Sequence, residues 1–203
     1  VARAHELHAE QRDANYRWTD RLFAGLMVFQ WFAAIVLAIW VSPQTWSGSI
    51  SEVHVHVYLA IWLGGCLTVL PVLLAVFHSG AAITRHTISF CQALTSALLI
   101  HLTGGRIETH FHVFGSLAFL AFYRDWKVLL PATVVVATDH LARQMFWPES
   151  VYGTIDPEWW RFLEHAFWVL FENTILVLAC VVAVRDMRRS ARQQAEVEVL
   201  TES

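Results

Sequence analysis

Hydrophobic positions in this chain come in long unbroken runs, not in the alternating or 3.6-residue stripes of a water-soluble fold. Six runs read as membrane-spanning helices: 22–41, 57–77, 87–103, 106–123, 128–147 and 162–184. The first is free of charge and stops at Ser42-Pro43, where the proline ring cannot continue a helix. The second carries Gly64-Gly65 and Pro71, residues that membrane helices tolerate. The third ends at Gly104-Gly105, a helix stop. The fourth spans only if its polar first turns, Arg106 to His112, are included. The expected fold is all-α, an integral bundle of six transmembrane helices.

Composition agrees: 56% of the 203 residues are hydrophobic and only 15% charged, which is not the make-up of a soluble domain. The net charge of −3 matters less than its distribution. With the N-terminus inside, Arg3, Arg12, Arg17, Arg21, Arg85, Arg124, Lys127, Arg185, Arg188, Arg189 and Arg192 fall on the inner side. Only Arg106, Arg143 and Arg161 fall outside, a positive-inside bias that places both termini in the cytoplasm. Tryptophans 40, 46, 126, 147, 159 and 160 lie near span ends, as in an interfacial belt. The first run is too long for a signal peptide and no small-residue cleavage site follows it. Three regions follow: a leader, 1–21; a six-helix sensor domain, 22–184; and the start of a cytoplasmic signalling helix, 185–203, with a weak seam of Val184, Met187, Ala191, Ala195 and Val199. Beginning at Val1 and stopping in a charged, helix-prone stretch, the chain is expected to be a piece of something longer.

Histidine placement carries the chemistry. At a rise of about 1.5 Å per residue, His101, His112, His140 and His165 lie within about 5–10 Å of the outer face, and His110 enters span four just above His112. His54 and His56 stand at the outer mouth of span two. Seven imidazoles at one level are costly in hydrocarbon and point to a shared site, with a metal as the natural reason to collect them. Two His-x-His pairs, His54-Val55-His56 and His110-Phe111-His112, would point together in an extended segment and diverge by about 200° in a helix. Glu108, Asp139, Glu164 and Glu172 neighbour these histidines along the chain, as further ligands or, preferably, as acceptors that orient the rings. His5, His8, His78 and His86 read as interfacial or cytoplasmic, and Cys66, Cys91 and Cys180 as small buried hydrophobes.

Seven imidazoles exceed one tetrahedral site, so two or three transition metal ions are expected. Imidazole-rich, sulfur-poor ligation facing the periplasm favours copper, then zinc, with iron or haem behind. The rival readings are a membrane metalloenzyme, a di-iron or copper oxygenase, and a metal transporter.

The run HLTGGRIETHFHVFGSLAFLAFYRDW, His101 to Trp126, resembles a histidine-rich membrane input module that precedes bacterial sensor histidine kinases, chemoreceptors and cyclic-dinucleotide enzymes. The resemblance extends from Trp18 to Val184 through DRLF, the HVH pair, Thr84-Arg85-His86 and WPESVYG. It implies an input module whose cytoplasmic output domain lies in cis. The metal rests on the residues and not on the resemblance; together they give the reading of a sensor in the bacterial inner membrane that relays metal or redox state to that domain. The expected partners are lipid, metal ions and, through the full-length protein, a second copy, with no nucleic acid. Enzymatic activity is expected of the full-length protein, such as a histidine kinase, rather than of this segment.

Overall fold

A computed structural model describes residues 2–202. Helix α1, Ala2–Val41, joins the leader and the first apolar run without a break, about 60 Å in all. The boundary drawn at 21/22 is therefore one of environment, not of backbone. A hairpin of β1 (Gln44–Ser47) and β2 (Ile50–Val53) follows, turning at Gly48 with a left-handed φ of 63°. Apart from this small antiparallel pair, the regular elements of the described residues are helices, and the fold is all-α as expected. Its end is tied by the His54 amide to Pro43 O.

The second apolar run is α2 (Val55–Tyr58), a π-helical turn at Leu59–Leu63 and α3 (Gly64–Phe77). Within that π-helical turn, the carbonyls of Ala60 and Ile61 both accept from the Trp31 indole at 3.1 Å. Gly64 and Gly65 face the same ring so closely that an added Cβ would stand 3.0 Å from it; small residues here let α3 approach α1.

Helix α4 (Ala82–Leu102) is the centre of the bundle, packed by α1, α3, α5 and α6. It carries buried Thr84, Ser89, Gln92, Thr95 and Ser96, each of which donates within the bundle: Ser89 to Val128 O, Gln92 to Ser116 Oγ, and Thr95 to Cys91 O, while the Gln92 Oε1 is buried without a partner. Helices α5 (Ile107–Leu120) and α6 (Leu129–Phe146) flank it, with a short α7 (Glu149–Tyr152) at the end of α6. Helix α8, Arg161–Glu202, runs unbroken through the sixth apolar run and the polar tail. Gly105, at φ 75°, admits the backbone of the α7 turn, where a Cβ would meet Gly153 N at 2.5 Å.

The helical segments lie where the apolar runs place them, but among the described residues three helices, not six, are long and apolar enough to cross a membrane: Ala2–Val41, Val55–Phe77 and Arg161–Thr201. Helix α5 is 14 residues long, α6 carries Asp139 and Arg143, and α4 is rich in hydroxyls and amides. Phe29, Phe32, Trp40, Trp62, Phe77, Phe167 and Trp168 are exposed, an apolar exterior compatible with a membrane location.

The ends of α1 and α8 pair beyond the bundle. Leu7 packs with Ala191 and Ala195, Gln11 meets Gln194 and Arg3 bridges Glu198 at 2.8 Å. The weak seam in the tail is thus occupied by the chain's own leader, while Val199 is exposed.

Candidate functional site

The histidines do not form one pocket. His110 of α5, His140 of α6 and His165 of α8 form a first group, with ring centres 5.6, 5.4 and 5.9 Å apart. Each Nδ1 lies 3.0–3.1 Å from the carbonyl four residues earlier, of Arg106, Val136 and Arg161 respectively. A carbonyl can only accept, so each Nδ1 carries the proton and each neutral ring keeps its lone pair on Nε2. The His110 Nε2 is buried without a partner. The three rings share a cavity of about 110 Å³ with Val113, Val136 and Val169.

Three lone pairs on rings so spaced suit a cation. With Nε2 about 2.1 Å from an ion and the ring centre about 1.1 Å further, tetrahedral ligation separates ring centres by about 5.3 Å. The observed spacings are a few tenths of an ångström wider. Among the described residues, no group of three or more His, Cys, Asp or Glu side chains is placed so that it could hold a metal ion. Ligation would need the rings to move.

Asp139 Oδ2 lies 3.4 Å from the His140 Nδ1 and pairs with Arg143, whose guanidinium also donates to Ala97 O and Ser150 O. Of the four carboxylates named from the sequence, it is the one that stands beside a ring nitrogen, although the Val136 carbonyl lies closer to that nitrogen. Glu108 and Glu164 are exposed, and Glu172 lies further along α8 with Oε2 buried and unpartnered. Tyr152 was not anticipated: its ring stands edge-on to His165 at 5.3 Å, while its hydroxyl donates to Gln144 Oε1. Burial pushes its phenol up to about 12.

His54, His56 and His101 form a second group. Their rings meet edge-on in sequence at 4.2 and 4.9 Å, and Trp147 continues the stack at 4.9 Å from His101. His54 caps α2, its Nδ1 accepting from the His56 amide at 3.1 Å. That lone pair is committed, so only His56 and His101 have nitrogens free for a ligand without rearrangement.

His112 joins neither group. Its Nε2 accepts from Gln30 at 3.0 Å, its Nδ1 meets Ser96 Oγ at 2.8 Å, and Ser116 Oγ lies 3.3 Å away. Two residues beyond His110 on the same helix, it points to the opposite side, into the α1–α4 core. The expectation of one pocket for all seven is corrected to three, three and one.

Motif residues outside the histidines also meet. Asp20 of DRLF is fully buried, accepting from Tyr123 OH at 2.7 Å and Gly80 N at 2.6 Å. Arg85 pairs with Asp125 at 3.3 Å and stacks over Tyr16. These residues hold the ends of α1, α4 and α5 together.

No protein-family model matches the chain, and no solved structure matches it. It is similar to the transducer protein Htr8 of Halobacterium salinarum, 33% identical over 86 residues. That stretch covers 40% of this chain and 13% of the transducer.

Proposed function

We propose that this chain is the transmembrane input module of a bacterial signalling receptor, built of six spans with both termini cytoplasmic. In this reading α4, α5 and α6 cross although they are less apolar, because neighbouring helices cover them and satisfy their polar groups. The signalling role is supported by the similarity to a protein named as a transducer. Continuity of α8 from His165 to the tail supports a mechanical link to an output domain beyond residue 203, such as a histidine kinase.

The sensing centre is a transition metal, copper before zinc, held by His110, His140 and His165. One observation carries this: three rings, each bonded at Nδ1 to its own helix, line a common cavity with their centres 5.4, 5.6 and 5.9 Å apart. His54, His56 and His101 form a second, outer locus that takes an ion only after His54 gives up its cap. A change in ligation state would then bias a two-state arrangement of α8 against α5 and α6. The oxygenase reading gains little, since a cavity of about 110 Å³ is smaller than the ~150 Å³ that accommodates benzene.

Metal analysis of purified protein tests the centre. Wild type should retain more than one equivalent of a first-row metal, copper foremost. His110→Ala and His165→Ala should each remove about one equivalent. Protons compete for the same lone pairs, so affinity should fall as pH drops below about 6. Background metal content, or unchanged content in both variants, would reject the site.

A further inference from the structure

The stalk formed by the two ends of the chain carries a groove of about 930 Å³. Its walls present His5, His8 and Arg12 from α1, and Arg188 and Arg192 from α8, with a single carboxylate, Glu196, beside them and Arg3 at one end. Arg3 is engaged by Glu198, Glu6 and Glu10. Arg12, Arg188 and Arg192 have no ion-pair partner among the described residues, and His8 Nε2 is buried without a hydrogen bond. Burial, reinforced by Arg188 and Arg12, holds His8 below the ordinary imidazole range. Packing of Leu7 on Ala191 and Ala195 therefore gathers like charges from opposite ends of the chain, a repulsion that a bound anion would relieve.

We propose that this groove binds a phosphate-bearing anion, in the size range from pyrophosphate to a nucleoside triphosphate. Guanidinium forks and imidazole N–H groups match phosphate oxygens in geometry as well as charge. On the membrane reading above, a soluble anion fits better than a lipid. Arg12 stands ten residues before Leu22, about 15 Å of helix, whereas the headgroup layer is only about 5–8 Å deep. The groove itself depends on the stalk and not on the metal centre, so the two can fail separately.

The test is calorimetric titration of the detergent-solubilised chain with pyrophosphate and with ATP at low salt. Saturable binding that weakens as salt rises is expected. An Arg12→Gln/Arg188→Gln double variant should bind at least about tenfold more weakly, because two charge-assisted contacts are lost. Arg21→Gln, outside the groove, should bind as wild type does. Circular dichroism checks that each variant keeps its helix content, and if the double variant does not, the single Arg192→Gln variant replaces it with the same expectation. Absence of saturation, or equal binding by parent and groove variants, overturns the proposal. So does stalk-dependent association with phosphatidylglycerol nanodiscs that pyrophosphate cannot compete away, which would give the groove to the membrane.

Discussion

His110 and His112 sit two residues apart on α5, yet one ring faces His140 and His165 while the other closes a hydrogen-bonded core with Gln30 and Ser96. Their spacing along the chain is equally suited to either task. The difference is angular, and it separates two kinds of phenotype. His112→Ala should leave metal content unchanged and lower stability by roughly 2 kcal/mol, since buried Gln30 and Ser96 each lose a partner. Thermal unfolding in detergent, read beside metal analysis, checks this. Loss of metal at unchanged stability would instead return His112 to the ligand set. The nearness of Asp139 to the His140 ring was legible from their adjacency in sequence. Tyr152 left no comparable signal, because the contact is made across the loop between α6 and α8.

Among the elements, α4 explains how a central helix can be rich in polar groups. A helix covered by four neighbours presents most of its faces to protein, so hydroxyls and amides bonded within the bundle serve it as well as leucines do. The π-helical turn at Leu59–Leu63 was hidden for a similar reason: its two carbonyls need Trp31, which lies on another helix. Helix α8 is the element expected to transmit. Inserting one residue after Met187 would turn the downstream helix by about 100° without moving His165. It would also swing Ala191 and Ala195 away from Leu7 and break the Arg3–Glu198 bridge. In a full-length receptor this variant should keep its metal and lose, or lock, its reporter response. Deleting residues 2–10 separates the contributions: a retained response would make α8 the lever by itself, and a lost one would make the α1–α8 pair the lever. A metal-dependent response that survives the insertion would reduce the tail to a tether.

At the scale of the whole molecule the open question is the side of the membrane on which each loop lies. The charge asymmetry predicts the 147–161 loop outside and the tail inside. Ser150 is buried and donates to Trp147 O, so it is a poor labelling position; Asp156 in the same loop is exposed, as is Ser190 in the tail. In a background lacking Cys66, Cys91 and Cys180, an impermeant thiol reagent added from outside should label Asp156→Cys and not Ser190→Cys. Labelling of both, or of Ser190→Cys only, would reject the six-span arrangement.

Helical segments and the position of each histidine along its helix were properties of the sequence alone, because the α-helical rise is a local, nearly constant quantity. Counting residues along a run therefore places His101, His140 and His165 along their helices without knowing what surrounds them. Which rings meet was decided by tertiary structure. Facing depends on helix rotation and crossing, and those are set by contacts between residues far apart in sequence: Trp31 against Gly64 and Gly65, Asp20 against Tyr123, Arg143 against Ala97. Pairing of leader and tail belongs with them, since nothing local to either end names the other. Depth along a helix follows from counting, whereas a site requires two helices to turn the right sides to each other.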